Sequence, residues 1–361
     1  AKLRSASKYN LATSAMSAWP LRDLGITIAE LEINGPSLYG YGPLNHAIAS
    51  RYRVPVECVV AAAGTSMANY LALAAVVNPG EEILVEHPTY ELLLSAAEYL
   101  GIKVRRFRRD PVDFAIDLDD LARNLTPQTK AVVLCNLHNP TGQFTDDNTL
   151  RAIGGLAKNV GARVIVDEVY RELLWERQPR SAFHLDPELF VSTNSLTKAY
   201  GLGGLRCGWV LASSDLAQRM WRINDLHGST PAHPGELISV AAFHQLNEIA
   251  DKQHQLLDTN HALLKAFLDS RNDLDYYWPD FGAIVAPRLK HGDVNDFCDL
   301  FRTRFDGTVV PGHFFEMPRH FRIGIGLPTG QIAPALDQLA RALDAYQLLN
   351  GGSASPPTAH A

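Results

Sequence analysis

The chain has 361 residues, 46% of them hydrophobic and 20% charged, with a net charge of −6. That length suits one large domain with a smaller one, and a core that needs no covalent staples. The acidic balance excludes a global basic field for nucleic acid or an anionic membrane, and no apolar run reaches the roughly 18 residues that span a bilayer.

Cys58, Cys135, Cys207 and Cys298 lie far apart, with no CxxC and no His-Cys metal spacing. This predicts reduced thiols in a cytoplasmic protein and argues against structural zinc. The first three sit in apolar stretches, where buried and inert thiols are usual. The segment Ala1 to Ser5 lacks the apolar core of a secretion signal.

Between about residues 60 and 215, short apolar runs alternate with helical patterns. Ile83-Leu84-Val85 precedes a helix-like stretch from Tyr90 to Tyr99. Ala131 to Leu134 precedes a helix opened by Thr145-Asp146-Asp147, and Arg163 to Val166 follows it. Leu189 to Ser192 and Cys207 to Leu211 complete the set. Near-continuous apolar strands between helices predict a mostly parallel sheet covered on both faces, with ligands outside the strand carboxyl ends. Lys103 to Arg109 is the densest basic cluster, and its alternation predicts a strand end at a solvated edge or an interface. A long helical stretch is predicted from Gly235 to Arg271. Strand-like pieces return at Ala283 to Ala286 and Phe321 to Ile325, with helical stretches from Val294 and from Gln331 to Leu349. This second pattern reads as a smaller α+β unit, against which the irregular first 35 residues can pack. Gly351 to Thr358 reads as a flexible tail by composition.

Chemistry-bearing residues fall at the loop ends of the predicted strands. Gly64-Thr65-Ser66 opens a helix, where hydroxyls and free N–H groups make a ready anion site, or a plain helix cap. His87-Pro88-Thr89-Tyr90 offers an aromatic that can cover a flat ring or simply start a helix. In Asn136-Leu137-His138-Asn139-Pro140-Thr141-Gly142, turn chemistry explains Pro140 and Gly142, while the Asn139 amide can donate to a phenolate oxygen. Asp167, in Asp167-Glu168-Val169-Tyr170, ends an apolar strand and needs a partner such as a pyridinium nitrogen, unless it is a helix cap. Ser195-Leu196-Thr197-Lys198 leads into glycines and Arg206. An amine there can be partly desolvated and condense with an aldehyde, or it is an ordinary surface lysine. Arg322 lies inside the apolar strand Phe321 to Ile325, placed to take a carboxylate or an internal salt bridge.

In this order the segments resemble the class I/II aminotransferases, pyridoxal 5′-phosphate (PLP) enzymes of fold type I, over about residues 30 to 348. The most specific pieces are Asn139 to Gly142, Asp167 to Tyr170 and Ser195 to Gly208. The resemblance implies an α/β fold: a mostly parallel sheet of the seven-stranded type with helices on both faces, plus a smaller α+β domain. The expected division is a PLP-binding domain at 35–245, a small domain from 1–34 and 246–348, and a tail at 349–361.

By the same resemblance, Lys198 joins the cofactor aldehyde and then carries the proton between Cα and the cofactor. Asp167 pairs with the ring nitrogen, Tyr170 and Asn139 reach the phenolic oxygen, and Tyr90 stacks on the ring. Gly64, Thr65, Ser66, Ser195 and Arg206 hold the phosphate. Arg322, with Asn139 beside it, takes the substrate α-carboxylate. A tyrosine from a partner subunit is also implied, with Tyr39 favoured over Tyr41, so the active protein is expected to be a homodimer with shared sites. The implied reaction moves an amino group from an L-amino acid to a 2-oxo acid in two half-reactions, without nucleic acid or membrane.

One departure bears on the substrate. Where the family carries an early-loop glycine over the substrate carboxylate, this chain has Leu11-Ala12-Thr13-Ser14-Ala15-Met16-Ser17. His138 reads as a supporting hydrogen bonder rather than a catalytic base. The same motifs serve PLP-dependent lyases and cyclising synthases, which hold the same cofactor and carboxylate. A PLP-sensing regulator is disfavoured by the absence of a helix-turn-helix segment and a basic stripe, and a silent scaffold by the complete set of ring, phosphate and lysine residues.

Overall fold

The computed structural model describes residues 7–37, 39–229 and 231–351. From the amino end, β1 (Tyr9–Asn10) leads to α1 (Gly42–Tyr52). Then come β2 (Val59–Ala63), α2 (Gly64–Val76), β3 (Glu82–His87), α3 (Glu91–Tyr99), β4 (Lys103–Arg108), α4 (Leu118–Asn124) and β5 (Thr129–Cys135). They are followed by α5 (Asp147–Asn159), β6 (Arg163–Asp167), β7 (Phe190–Ser195), β8 (Cys207–Leu211), α6 (Ser214–Asp225), α7 (His233–Phe243) and α8 (Leu246–Asp269). Short strands β9 (Leu274–Asp275), β10 (Ile284–Val285) and β11 (Arg288–Leu289) precede α9 (Val294–Phe305). The chain closes with β12 (Gly307–Thr308), β13 (Val310–Pro311), β14 (Phe321–Gly324) and α10 (Thr329–Gly351).

Seven strands form one sheet in the order β2-β8-β7-β6-β5-β3-β4, parallel except for β8. Alternate residues feed two cores. Ile83, Val85, Ala131 and Val133 pack with α2, α3 and α6 on one face. Leu84, Val132 and Leu134 pack with Leu150, Ile153 and Ala157 of α5 on the other. Both faces being covered is why these strands read as unbroken apolar runs rather than alternating ones. Strand order reverses after β3: the chain steps outward to β4, then returns through β5 and continues the other way. The turns after β3 and β5 therefore lie side by side at the carboxyl edge, the usual ligand-binding crevice of such sheets.

β4 is the sheet edge, as its basic alternation predicts, but the cluster is not all solvated. Lys103 and Arg108 are exposed, whereas Arg106 pairs with Glu316 and Arg109 is buried against Glu86. The predicted helix from Gly235 to Arg271 is two helices. The chain turns at His244 and Gln245, where the Gln245 amide donates to the Leu24 carbonyl (2.7 Å). Neither proline nor glycine marks that break, so periodicity alone runs through it. Helix α10 continues to Gly351, past the expected tail start at 349; the rest of that expected tail, and the opening segment Ala1 to Ser5, lie outside the described residues.

The second region is built from α8, α9, α10 and the β10-β14-β13 sheet around Phe297, Phe301, Phe321 and Ile323. The irregular N-terminal segment packs onto it: β1 pairs with β12, and Gly324 N–H donates to the Leu11 carbonyl (2.7 Å). Residues 13–17 then thread between β14 and the loop after Lys198. A Cβ at Gly324 would lie 1.8 Å from the Thr13 carbonyl oxygen, and one at Gly201 equally close to that of Ser17. Gln253 of α8 donates to the same Ser17 carbonyl (2.8 Å). Among the described residues no helix is long and apolar enough to cross a membrane.

Candidate active site

Lys198 lies three residues past the end of β7, half-buried. Its Nζ donates to Ser14 Oγ (2.8 Å) and stands 5.7 Å from the Tyr170 ring centre, while its carbonyl accepts from Met16 N–H (2.8 Å). The N-terminal segment with no glycine thus passes directly over the lysine. Two residues on, the buried Tyr200 donates to Glu172 (2.5 Å), which also accepts from Tyr52 (2.5 Å) and Arg51 (2.7 Å). That knot ties the lysine loop to the turn carrying Tyr170 and to the end of α1.

Asp167 closes β6 and is 5% exposed. Its Oδ2 accepts from the Asn69 amide (2.7 Å) and its Oδ1 from Val169 N–H (3.0 Å). Burial pushes the carboxyl above its ordinary value, opposed by those hydrogen bonds and by the Lys198 charge. The Val169 contact is the local turn that a capping aspartate would make; the Asn69 contact is long-range and belongs to the cleft.

On the α2 side, Thr65 Oγ1 donates to Ser195 Oγ (2.8 Å) at the helix N-terminus, with Ser66 exposed beside them. Arg206 arches over this end, donating to the carbonyls of Ala63 (3.0 Å) and Gly203 (3.2 Å). Gly64 has φ +77°, and a Cβ there would come within 2.2 Å of the guanidinium. Only glycine lets the arginine approach the helix end, and the result is a cluster of hydroxyls, N–H groups and one cation suited to a phosphate.

The opposite end holds Arg322, 6% exposed. It donates to Asn139 Oδ1 (2.9 Å) and the Ala12 carbonyl (3.2 Å), and its guanidinium packs 5.0 Å from the Phe315 ring centre. No acid partners it among the described residues, and its Nε has no hydrogen-bond acceptor. Burial lowers its pKa from the ordinary guanidinium value, with the Tyr170 and Tyr90 hydroxyls acting the other way. Among the described residues the internal salt bridge left open by the sequence is absent. Because Asn139 accepts through Oδ1, its NH2 group remains available as a donor. Tyr90 is half-buried and stacks at 29° on Phe315, and burial pushes its hydroxyl up to about 12.

His138 is fully buried, bonded to Thr141 Oγ1 (2.7 Å) and the Pro88 carbonyl (3.0 Å). Burial and the Arg109 charge hold its pKa well below the ordinary histidine value, so it braces the turn as a neutral ring. Tyr39 is 55% exposed and packs on Trp221; Tyr41 packs on His233. Neither joins the cluster around Lys198.

Asn69, Thr193, Ser14 and Phe315 were not legible as site residues. Two had a signal: Asn69 lies four residues after Thr65 on the same face of α2, and Thr193 two residues before Ser195 on the same face of β7. Ser14 and Phe315 sit in segments with no regular period.

The family model for aminotransferase class I and II matches residues 27–339. The chain is 32% identical to capreomycidine synthase from Streptomyces vinaceus over 317 residues, covering 87% of this chain and 81% of that protein. It is 29% identical to an aspartate aminotransferase from Sulfolobus acidocaldarius over 300 residues, covering 78% and 74%. A crystal structure of a PLP-dependent aminotransferase from Streptococcus suis superposes with a TM-score of 0.88 over 94% of both chains, at 24% identity.

Proposed function

The chain belongs to the class I and II aminotransferase family of PLP-dependent enzymes, and from that premise we propose that the cleft around Lys198 moves the amino group of an L-amino acid to a 2-oxo acid. The side chains present fit the cofactor. The Thr65, Ser66, Ser195 and Arg206 cluster with Gly64 suits its phosphate, Asp167 its ring nitrogen, and Lys198 its aldehyde. When bound, PLP supplies an aldehyde that takes up the amino group and a protonated ring that accepts the electron pair left at Cα.

The chain's own residues do the rest. Arg322 binds the substrate α-carboxylate through its fork, with the Nε that lacks an acceptor adding a third donor. Asn139 fixes the fork from one side, and its NH2 group and the Tyr170 hydroxyl would be the donors for the cofactor's phenolic oxygen. Tyr90, backed by Phe315, covers the ring face. Lys198 Nζ would be placed to take the Cα proton as general base, with Ser14 Oγ in reach to hold the amine in place. The observation that carries this reading is one half-buried amine over Tyr170 in a site that also holds two buried side chains of opposite charge, Asp167 and Arg322, neither in an ion pair among the described residues.

The proposal extends to assembly. Tyr39 is exposed rather than directed into its own cleft, which suits a hydroxyl donated to a partner's phosphate site in a homodimer. The two regions described above support a division into a PLP-binding domain and a small domain, and the unpaired described cysteines suit a reducing cytoplasm.

A second reading has a specific basis in the 32% identity to capreomycidine synthase and in Ser14, which stands over Lys198 where the family carries a glycine loop. In that reading the substrate cyclises or loses a group without leaving its nitrogen behind. The holoenzyme, mixed with a panel of L-amino acids including arginine and with no acceptor, separates the two. Transamination releases one 2-oxo acid per site and stops until a 2-oxo acid is added. Continuous turnover with a cyclised product or free ammonia establishes the second reading, and wild-type activity in Lys198→Ala overturns both.

A further inference from the structure

Behind Asp167 lies a buried relay that none of the roles above uses. Asp167 and Thr193 are register partners on the adjacent strands β6 and β7, so their side chains share a face. Asn69 reaches both from α2. Thr193 Oγ1 donates to Asn69 Oδ1 (2.5 Å), and Asn69 Nδ2 donates to Asp167 Oδ2 (2.7 Å). Thr193 has no exposed surface, and Asn69 and Asp167 have less than a tenth of theirs.

The direction of this chain has a consequence. An amide presents an acceptor at one end and a donor at the other. With the Thr193 hydroxyl on the oxygen, only the NH2 end faces Asp167, and Val169 N–H takes the other carboxylate oxygen (3.0 Å). In this orientation both internal partners of Asp167 are donors, and a protonated carboxyl would find no acceptor in either. Reversing the amide would set its oxygen against an ionised carboxylate oxygen at 2.7 Å, so this amide orientation and an ionised Asp167 support each other, while Thr193 holds the far end of the amide in place. Burial pulls the other way, favouring the neutral acid.

We propose that Asn69, held against β7 by Thr193, is a positioning residue that keeps Asp167 ionised and aimed at the cofactor's ring nitrogen. The proposal rests on the PLP reading of the cleft. Without the Asn69 amide, the proton shared between ring nitrogen and Asp167 shifts toward the carboxylate. A hydrogen bond to a charged group commonly biases such an equilibrium about tenfold or more.

The test is the 15N chemical shift of ring-labelled PLP bound to wild type, Asn69→Leu, Thr193→Val and Thr193→Ser, with cofactor affinity measured on the apoproteins. In wild type the shift should report a protonated ring nitrogen. Thr193→Val, which preserves shape but removes the hydroxyl, should move the shift toward the unprotonated value and lower kcat more than it raises KM. Thr193→Ser should restore both, and Asn69→Leu should move the shift furthest. A shift identical in wild type and Thr193→Val overturns the proposal, whether or not Asn69→Leu folds. Failure of wild type to bind PLP would overturn the reading of the cleft itself.

Discussion

Two arginines, Arg109 at the β4 edge and Arg322 in β14, are buried to the same degree but answered differently. Arg109 meets the Glu86 carboxylate at 2.7 Å and the carbonyls of Phe114 (2.7 Å) and Cys135 (3.4 Å), with neither charged side chain exposed. Glu86 in turn accepts from Cys135 N–H (2.7 Å), so the pair pins the end of β3 to the end of β5 beneath the turn that carries Tyr90. Arg322 has an amide, one carbonyl and an aromatic face, no acid, and an Nε with no acceptor. Burying a cation without an anion is costly, which supports the proposal that an anionic ligand completes the Arg322 site. Sequence position does not separate the two; the acid beside one and not the other does.

Removing each guanidinium should therefore have opposite effects. Arg109→Met strands a buried carboxylate and should cost about 3–5 kcal/mol of stability, read as a lower denaturant midpoint. The KM for amino acid should hardly change in whatever fraction remains folded. Arg322→Leu leaves no stranded acid, so its midpoint should stay within about 1 kcal/mol of wild type or rise. Its amino-acid KM should climb roughly 30-fold or more, the equivalent of about 2 kcal/mol for a lost charged contact, with PLP still bound. Equal losses of stability in the two variants would erase the distinction. A smaller effect belongs to Ser14, the hydroxyl over Lys198. Ser14→Ala removes one hydrogen bond of about 1 kcal/mol, so the amino-acid half-reaction should slow about fivefold in single-turnover measurements, with no more than about 1 kcal/mol of stability lost.

The same contrast explains what the chain disclosed as a sequence. Strands β3, β5, β6, β7 and β8 were legible because they are buried and bounded by turn residues, while the seven-stranded sheet was an expectation from the family resemblance. Asp167 and Arg322 stood out because each breaks an apolar strand, Lys198 by its spacing after Ser195 and before glycines, and Asn139 by its place before Pro140, while their roles were implied by the family resemblance. What stayed hidden depended on partners far away in the chain. Nothing local distinguishes Arg109, an apparent member of a solvated basic run, from Arg108 beside it; its partner Glu86 lies 23 residues earlier on the neighbouring strand. Ser14 and Phe315 meet the cleft only because the N-terminal segment threads past Gly201 and Gly324 and because a short turn at Gly312–Phe315 folds under Arg322. Long-range pairings of this kind leave no periodic trace.

The smallest expected effect tests the link between the two arginine regions. Glu316 follows the turn that carries Phe315, and it reaches across to Arg106 on β4 (Nη2–Oε2 2.6 Å), with the His87 ring 3.4 Å away. Burial by itself would raise the Glu316 carboxyl; the hydrogen bonding and charge of His87 and Arg106 outweigh it and hold it at about 2, against an ordinary value of 4.5. A folded pKa below the unfolded one means that the stabilisation is fully present above pH 4.5 and is lost as pH falls toward about 2. Because a third of the side chain is exposed, solvent screening makes the contribution modest. Glu316→Gln should flatten that part of the acid-unfolding profile. It should also let the Phe315 turn relax, so that the amino-acid KM rises slightly more than the kcat falls. An acid profile unchanged by Glu316→Gln would show that the ion pair does not couple the β4 edge to the Arg322 side of the cleft.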